Sequence, residues 1–336
     1  MHCWHTEADL GPRTGGTTNY ERGAMHRISL VVATKDRPDD LRRLLNSLSL
    51  QTTVPDEIVI VDASVEANES VESILNEFLN LTIRYLPHWP PSASAQRNKG
   101  ILACHSAATL IGFADDDTTF EPEAFTNMLT FWNSACADVL GTAFNLYNYP
   151  KRHKSVFKHS KLAEWISLYS LRPGKVSLSG WQSMIGRVSA TEFVDWLPSS
   201  AVLFRRDVFD RNRFDEAFNS YSYLEDLDLS YTLSRVGRLA VVVDAGFHHF
   251  PSQHGRISTR DFGRCEVRNR LYLVRKHSLS LTRCYVGLGI RLAMSIIDGL
   301  AHGNSGQLTR AFGNIEELMK QGFVTAKRAV AGASLL

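Results

Sequence analysis

The chain lacks the features that would set it apart from ordinary globular proteins. Its five cysteines include no C-x-x-C pair, and their odd number favours buried, reduced thiols in an intracellular setting. The net charge of +2 gives no support to nucleic-acid binding. The longest stretch without acidic or basic residues, 100–114, is shorter than the ~20 residues that a membrane-spanning helix needs. We therefore expect a protein that is soluble or lies on a membrane surface.

No segment of the secretory kind opens the chain, because residues 1–25 are polar and rich in Gly and Thr. We expect a flexible leader over residues 1–26. The whole chain is 44 % hydrophobic and 21 % charged, close to the average of soluble domains. That composition excludes a disordered, collagen-like or disulfide-stapled protein, and the length allows a large core.

Strand and helix patterns alternate over the first part of the chain, from residue 27 onward. Short apolar runs predict strands over 28–33, 57–61, 82–86 and 109–114. Helices are predicted around Leu41, Leu44, Leu45 and Leu48, over 71–79 and over 96–107. This alternation predicts an α/β fold with a parallel sheet, in which ligands bind at the carboxyl ends of the strands.

The remaining sequence has weaker patterns. Residues 145–194 are rich in Lys, His, Ser and aromatic residues and show little periodicity. Beyond them we expect a strand over 201–204, a helix over 224–233, a strand over 239–243 and helices from Phe262 onward. The chain therefore changes from an alternating pattern to a mainly helical one.

Three adjacent carboxylates, Asp115, Asp116 and Asp117, follow the strand predicted over 109–114. Their mutual repulsion favours a bound cation, and hard divalent ions prefer oxygen ligands. A metal here could bridge to nucleotide phosphates and neutralise a leaving diphosphate. The alternative is a solvated acidic turn or helix N-cap, since acidic triplets are common.

Other polar side chains stand at strand ends or at the start of a helix. Asp36 and Asp62 follow the first two strands, where a carboxylate can accept hydrogen bonds from a ribose or a base edge. The alternative for both is an Asx turn. Arg97 begins a helix, a position that suits a diphosphate, and the alternative is a surface salt bridge.

A second acidic cluster, Glu225 and Asp226, opens the helix predicted over 224–233. Asp226 points away from the apolar face of that helix, so its carboxylate could take a proton from a hydroxyl nucleophile. Acidic residues also stabilise helix N-termini without any such role. His248 and His249 follow the next strand, where an imidazole could add a metal ligand or could simply be packed or exposed.

The order of these motifs resembles that of family 2 glycosyltransferases. The segments that carry the resemblance are Val31–Pro38, Val61–Ser64, Gln96–Gly100, Asp115–Asp117 and Glu225–Leu229. The resemblance implies a GT-A fold, a Rossmann-like nucleotide-sugar-binding sheet flanked by helices, here with a helical C-terminal extension. It implies an inverting hexosyl- or deoxyhexosyl-transferase that uses a nucleotide-diphosphate donor. The acceptor would be a hydroxyl of a glycan or lipid-linked molecule in cell-envelope or exopolysaccharide synthesis.

The resemblance also assigns roles to individual residues. Donor-binding groups would be Thr34, Asp36, Arg37, Asp62, Arg97, Asp115 and Asp116. Asp117 would hold Mn²⁺ or Mg²⁺, with His248 or His249 as a further ligand, and Asp226 would be the catalytic base. Acceptor-binding groups would be Trp196, Ser199, Ser200 and Glu225. The indole face of Trp196 could pack on a sugar ring, unless this residue is part of the core.

The same resemblance divides the chain into parts. The nucleotide-sugar-binding half would span residues 27–144, the acceptor half with the catalytic base 145–255, and a helical region 256–336. Such an enzyme is expected in the cytoplasm, free or at the inner face of the plasma membrane.

Three short segments depart from the pattern that is common in the family. Asp62-Ala63-Ser64 stands where many members have Asp-Asp-Gly-Ser, which bears on recognition of the base. Lys35-Asp36 replaces the commoner x-Asn, a milder change. Ser199-Ser200 stands where many relatives have Gly-Gly, which predicts a narrower acceptor site.

The segment 251–291 carries nine Lys or Arg residues and only two acids. Apolar residues interleave with them, so this basic segment could meet anionic lipid close to a lipid-linked acceptor. Alternatively, Arg256 or Arg268 could face the donor phosphates, or the segment could be an ordinary solvated helix flank.

Two other functions stay open at this point. A nucleotidyltransferase of related fold usually has a Gly-rich first loop that holds a triphosphate, whereas Thr34–Pro38 contains no glycine. A non-catalytic module that binds a carbohydrate or a partner protein would have no need for both Asp117 and Asp226. The sequence does not specify the sugar, the base, the acceptor or the oligomeric state.

Overall fold

The structure, a computed structural model, describes residues 26–64, 69–149, 160–219, 222–252 and 256–333. The leader predicted over 1–26 lies outside these ranges except for its last residue. The described chain forms a three-layer α/β unit that is followed by three long helices.

One mixed sheet of nine strands runs through the described residues. The strands are β1 (Ile28–Thr34), β2 (Glu57–Asp62), β3 (Ile83–Pro87), β4 (Leu110–Asp115), β5 (Thr118–Phe120), β6 (Val139–Leu146), β7 (Glu192–Val194), β8 (Ala201–Arg205) and β9 (Arg238–His249). Their order is β3-β2-β1-β4-β8-β6-β9-β5, and β7 pairs with β9 beside this path. The first four strands are parallel, as the sequence predicts, whereas β8 is antiparallel to both of its neighbours.

The central strands bring polar residues to one edge of the sheet. β1, β2 and β4 are buried along almost their whole length, as central parallel strands are. Thr34 at the end of β1 pairs with Asp62 on β2, and Ala33 pairs with Asp115 on β4. The ends of these strands therefore lie side by side, where a ligand site is expected.

Helices cover both faces of the sheet and continue beyond it. They are α1 (Pro38–Ser49), α2 (Glu69–Glu77), α3 (Ala93–Ala103), α4 (Ala124–Ser134), α5 (Lys161–Trp165), α6 (Glu225–Ser234), α7 (Thr259–Lys276), α8 (Leu281–Ala301) and α9 (Ser305–Ala333), with a short 3-10 helix at Arg206–Asp210. α1, α2 and α4 form the core on one face of the sheet, and α3 and α6 form it on the other. The four leucines that predict α1 are all fully buried.

Most predicted elements exist close to their expected bounds, and the differences lie near the cleft. α3 begins at Ala93 because Ser92 caps it, accepting a hydrogen bond from the Ala95 amide. β9 extends to His249, so the two histidines belong to the strand and do not follow it. The sequence-based expectations do not include β5, α4 or β6, of which β5 is only three residues long. The sheet also crosses the expected boundary at residue 144, since β4 pairs with β8.

The three C-terminal helices are attached to the α/β unit through α7. Lys276 and His277 at the end of α7 both contact Asp228 of α6, at 2.7 Å and 2.9 Å. Among the described residues, α8 is the one helix that is long and apolar enough to cross a membrane by length and composition. Its apolar window has a mean hydropathy of 1.4 and is 22 % buried. The sequence did not predict this helix as a membrane span, because the charged residues Arg291 and Asp298 interrupt its uncharged stretches.

Candidate active site

A cleft of about 1240 Å³ lies between the strand ends and the C-terminal helices. One wall is formed by the ends of β1, β4 and β9 with the start of α6, and the other by α7, α8 and α9. The sequence-predicted residues that line it are Thr34, Arg37, Arg97, Asp115, Asp116, Asp117, Trp196, Ser199, Ser200, Glu225, Asp226 and His249. The described residues that line this cleft do not include Asp36, Asp62 or His248.

Asp115, Asp117 and His249 form an acidic–histidine cluster in the strand-end wall. One potential ligand atom from each residue lies within 4.8 Å of the other two. β9 runs antiparallel to β5, and this pairing sets His249 opposite Thr118 and therefore next to Asp117. Nε2 of His249 is 2.9 Å from Oδ1 of Asp117. The pairing of two short segments thus completes a three-residue group with metal-ligand chemistry.

The members of the acidic–histidine cluster stabilise one another's charge. Burial acts to raise the pKa of Asp117, but His249, the Ser252 amide and Arg37 together lower it below its ordinary value. Burial acts to lower the pKa of His249, but Asp117 and Asp115 raise it above its ordinary value. The two close carboxylates therefore favour the protonated form of the imidazole more than water does.

His248 does not join this cluster. Its Nε2 lies 2.6 Å from Oε1 of Glu121, and its ring packs edge-on against Tyr147 at a centroid distance of 6.0 Å. Successive side chains of a strand point to opposite faces, so only one of two adjacent histidines can face Asp117. The structure therefore places His249, and not His248, beside the acidic residues.

Asp116, the residue between the two aspartates of the cluster, is almost fully buried. Its carboxylate accepts hydrogen bonds from the Thr34 hydroxyl at 2.7 Å and from Nη1 of Arg37 at 2.9 Å. Burial raises the pKa of Asp116 to about 7, although Arg37 and Thr34 act against it. Nη1 of Arg37 also lies 3.7 Å from Asp117. Thr34 and Arg37 thus line the cleft, and both donate hydrogen bonds to the Asp116 carboxylate.

Arg97 is a buried link between the two acidic motifs. It donates to Oε1 of Glu225 at 2.6 Å and to Oδ1 of Asp115 at 3.0 Å. Burial and the neighbouring Asp226 raise the pKa of Glu225 to about 8, against the opposing charge of Arg97. Arg97 therefore forms a buried salt bridge, and not the surface salt bridge that was the alternative from the sequence. This buried salt bridge fixes α6 relative to β4.

Asp226 is the second residue of α6 and lines the cleft. The residue before the helix, Leu224, has a φ of +79°, a left-handed conformation that is costly for a side chain of this size. This turn keeps Leu224 buried while the first turn of α6 reaches the cleft. The Asp226 carboxylate accepts hydrogen bonds from the amides of Leu227, at 2.7 Å, and Ser199. Burial raises the pKa of Asp226 in spite of these bonds and of Arg97.

Asp62, at the end of β2, uses its carboxylate in hydrogen bonds within the protein, whereas Asp36, two residues beyond β1, has a side chain that is 46 % exposed. Asp62 is buried, and it accepts hydrogen bonds from the amide and hydroxyl of Ser64 and, at 2.9 Å, from the Tyr85 hydroxyl. This is the Asx turn that the sequence left open. Asp36 has a φ of +54°, its amide donates to Ser64 at 2.8 Å, and its carboxylate lies 3.8 Å from Lys35.

Trp196 is a core residue, which corrects the expectation of an exposed indole face. It borders the cleft but is only 4 % exposed, and it packs in a buried cluster with Phe218. The whole ring can be buried because its N–H donates to the Ser183 carbonyl at 3.0 Å. Ser199 and Ser200 line the cleft, as expected for that loop.

The basic segment 251–291 does not form a single solvent-facing basic surface. Ion pairs join Arg260 and Arg264 to Glu316, and Lys276 to Asp215 and Asp228. Arg256 lines the cleft, whereas Arg268 is exposed outside it. Residues 253–255 of the segment lie outside the described ranges. Much of the charge that the sequence places here is therefore used to hold helices together.

The cleft is also lined by groups that sequence reasoning missed. Three are arginines of the helical wall, Arg270 of α7, Arg291 of α8 and Arg310 of α9, and the fourth is Trp181. They lie far apart in the chain and meet only when the three helices pack. One signal was present: Arg270 follows Val267 by three residues and precedes Val274 by four, so it sits on the apolar face of α7.

The fold and the cleft together define an α/β protein whose candidate site lies at the ends of the strands. Residues 29–210 match the family model of glycosyl transferase family 2. Because this match covers more than half of the chain, the protein belongs to that family, as its motifs predict. No curated protein sequence matches the chain.

Solved structures share the GT-A fold. The structure of GalNAc-T7 with UDP, GalNAc and Mn²⁺ aligns with a TM-score of 0.53 and 13 % identity, over 73 % of this chain and 48 % of that one. The mannosyltransferase PcManGT from Pyrobaculum calidifontis, in complex with GDP-Man and Mn²⁺, aligns with a TM-score of 0.51 and 11 % identity, over 88 % of each chain.

A third structure is TarS 1–349 from S. aureus in complex with UDP-GlcNAc. It aligns with a TM-score of 0.47 and 16 % identity, over 88 % of this chain and 92 % of that one. The chain spans 43 % of the longer TarS structure.

Proposed function

We propose that this protein is a metal-dependent, inverting glycosyltransferase. It would transfer a hexosyl or deoxyhexosyl group from a nucleotide-diphosphate donor to a hydroxyl of a glycan or lipid-linked acceptor, in cell-envelope or exopolysaccharide synthesis. One observation carries the proposal: a single cleft contains both the acidic–histidine cluster and the Asp226 carboxylate, and Arg97 connects them. Two structures of the same fold, solved with UDP or GDP-Man and Mn²⁺, agree with this class of donor.

The donor atoms of the acidic–histidine cluster fit a divalent cation. Asp115, Asp117 and His249 would hold it, with His249 binding as the neutral imidazole. An imidazole beside two carboxylates suits Mn²⁺ better than Mg²⁺, which prefers oxygen ligands and several waters. When bound, such an ion neutralises the charge that develops on a departing diphosphate.

Asp226 has the position and the basicity of a general base. The raised pKa makes its carboxylate a better proton acceptor than an ordinary aspartate. Taking the proton of an acceptor hydroxyl, it would let that oxygen attack the anomeric carbon from the face opposite the diphosphate. A single displacement of this kind inverts the configuration and needs no nucleophilic carboxylate. Glu225, paired with Arg97, would hold Asp226 in place and does not itself need to accept the proton.

A thermal-shift panel tests the proposal. UDP, dTDP, GDP, CMP and, for the nucleotidyltransferase alternative, UTP are added with and without Mn²⁺ to the wild type and to Asp117→Ala. A ligand at ~100 times its dissociation constant adds about 2.7 kcal/mol to stability, a readable shift. We expect a Mn²⁺-dependent shift with one of the three nucleoside diphosphates, lost in Asp117→Ala, and no such shift with CMP. The absence of any nucleotide shift would favour the non-catalytic module instead.

We also propose that the protein works in the cytoplasm and touches the inner face of the membrane through α8 and α9. Both helices expose large apolar side chains: Ile297, Leu300, Phe312, Met319 and Phe323 are each at least 60 % exposed. This surface, and the length and apolarity of α8, support membrane contact better than the internally paired basic segment does.

Flotation with vesicles of phosphatidylglycerol tests this contact. The wild type should float with the vesicles, and the double variant Phe312→Ser, Phe323→Ser should float less. Equal flotation of both proteins, or none by the wild type, would contradict the proposal. A dimer in light scattering that the double variant abolishes would assign the surface to a second copy.

A further inference from the structure

The helical wall of the cleft contains a buried cation whose partners are all neutral. Arg270 is 1 % exposed, and it donates to the Gly180 carbonyl, to Gln182 at 2.8 Å and to the Tyr223 hydroxyl at 3.1 Å. Its guanidinium lies 4.5 Å from the ring centroid of Trp181, and its Nε has no hydrogen-bond partner. In the part of the chain that the structure describes, no carboxylate oxygen lies within 4.0 Å of this guanidinium.

Two further arginines that line the same cleft, Arg291 and Arg310, share a single carboxylate. Arg310 makes two hydrogen bonds to Glu266, at 2.6 Å and 3.0 Å, and Arg291 lies 3.5 Å from it. Burial acts to raise the pKa of Glu266, but these arginines and Asn314 lower it. The pKa of Arg291 is lowered, first by burial and then by the charge of Arg310. The charge of Asp298 also acts on Arg291, but Glu266 is the one carboxylate within 4.0 Å of the arginine cluster, Arg270, Arg291 and Arg310, in the described chain. Its single negative charge leaves two of the three positive charges without a direct partner.

Such an excess is costly in a protein interior unless an anion joins it. Arginine keeps its proton under all ordinary conditions, so it cannot relieve the cost by becoming neutral. Burial of an unpaired charge is among the most unfavourable arrangements in proteins. The arginine cluster lines the cleft, so an anion can reach it from there.

The position of the arginine cluster connects it with the proposed base and sets it apart from the acidic–histidine cluster. Its three members lie on α7, α8 and α9, whereas the acidic–histidine cluster lies at the ends of strands. Tyr223, which bonds Arg270, precedes Asp226 by three residues. The ring of Trp181 closes this end of the cleft against α8, where Gly287 permits the approach: a Cβ there would lie 2.7 Å from the ring.

We propose that the acceptor carries an oxyanion, a phosphate or a carboxylate, that binds the arginine cluster while its hydroxyl faces Asp226. This inference rests on the glycosyltransferase function proposed above. Arg291 and Arg310, whose side chains are 25 % and 19 % exposed, contact the anion. Arg270 adds its charge from within the wall, and Trp181 borders the same space.

The test measures anion binding without donor or metal. Inorganic phosphate, methyl phosphate and acetate are titrated calorimetrically in EDTA into the wild type, Arg291→Gln and Arg283→Gln. Arg283 is the matched control, because it lies on the same helix, is exposed and is outside the lining of the cleft. We expect phosphate or acetate to bind the wild type and Arg283→Gln, and to bind Arg291→Gln about tenfold more weakly or worse. The probe that binds most tightly of the three identifies the kind of oxyanion.

A conservative variant and a competition complete the design. Arg291→Lys retains the charge and should recover part of the anion affinity, and melting temperatures without ligand confirm that each variant is folded. Equal affinity of Arg291→Gln and the wild type would overturn the inference, as would no binding by the wild type. Competitive displacement of the anion by UDP with Mn²⁺ would also overturn it, by assigning the anion to the donor. UDP binding with Mn²⁺, measured in parallel, reports separately on the proposed function.

Discussion

The two walls of the cleft differ in architecture and in the sign of their charge. The strand-end wall carries Asp115, Asp117 and Asp226 in rigid positions fixed by the sheet and by α6. The helical wall carries the arginine cluster, gathered from α7, α8 and α9. The family match to residues 29–210 ends before these helices, and it also ends before Asp226 and His249 of the strand-end wall. In this account, the strand-end wall provides the chemistry of transfer, and the helical wall provides the recognition of a particular acceptor.

The largest effect is expected from Asp226→Asn, which removes the proposed base from the strand-end wall. General-base catalysis contributes ~10²- to 10⁴-fold, so release of nucleotide diphosphate from the donor should slow by about that factor. The amide occupies the same space, so calorimetric binding of the donor with Mn²⁺ should stay within about twofold of the wild type. Asp261→Asn, an exposed carboxylate outside the cleft, is the matched control. Transfer by Asp226→Asn at the wild-type rate would refute the assignment.

The second effect concerns the attachment of the helical wall to the α/β unit. Asp228 is buried and contacts both Lys276 and His277. Breaking a buried ion pair from one side costs about 3 kcal/mol or more. Asp228→Asn should lower the free energy of unfolding in urea by roughly that amount. A loss below about 0.5 kcal/mol, as for an ordinary surface change, would mean that the walls are held together elsewhere.

The third effect separates the two adjacent histidines. His249→Asn should weaken Mn²⁺ binding about tenfold or more, since it removes one of three candidate ligands. His248→Asn, its neighbour on the opposite face of β9, should bind Mn²⁺ like the wild type. Calorimetric titration of Mn²⁺ in the presence of UDP measures both. A loss of Mn²⁺ affinity in His248→Asn alone would place the metal on the opposite face of β9 and would contradict the assignment of His249.

The smallest effect is a shift of the acid limb of the pH–rate profile to higher pH. Asp226 must be ionised to accept a proton, and burial raises its pKa above the ordinary 3.8. As the pH falls through this raised pKa, the base becomes protonated and the rate falls, so the acid limb of the rate profile should lie above pH 3.8. The residual activity of Asp226→Asn should lack this limb at saturating Mn²⁺. A rate that stays constant down to pH 4 in the wild type would contradict the direction of the shift.

The sequence predicts the strand-end wall far better than the helical wall, for a physical reason. Parallel strands buried on both faces read as short apolar runs, and their ends place Thr34 and Asp115 without knowledge of long-range contacts. Pairing of β5 with β9 decides which histidine faces Asp117, and no local pattern encodes that register.

The sequence also does not predict how deeply individual side chains are buried. Trp196 is buried because of a hydrogen bond to Ser183, a residue in an unpatterned segment. Arg270, Arg291 and Arg310 are brought together only by the packing of α7, α8 and α9. Contacts of this kind depend on tertiary structure, whereas amphipathic periodicity reports only which face of each helix is inside.

The most direct test of the central claim is the position of Mn²⁺ in a crystal grown with Mn²⁺ and UDP, read from the anomalous difference map at the manganese edge. The account predicts a peak within ligand distance of Asp117 and His249, with the uridine diphosphate beside it and the arginine cluster free of diphosphate. A peak elsewhere, or a diphosphate bound to Arg291 and Arg310 in place of the strand-end wall, would contradict it.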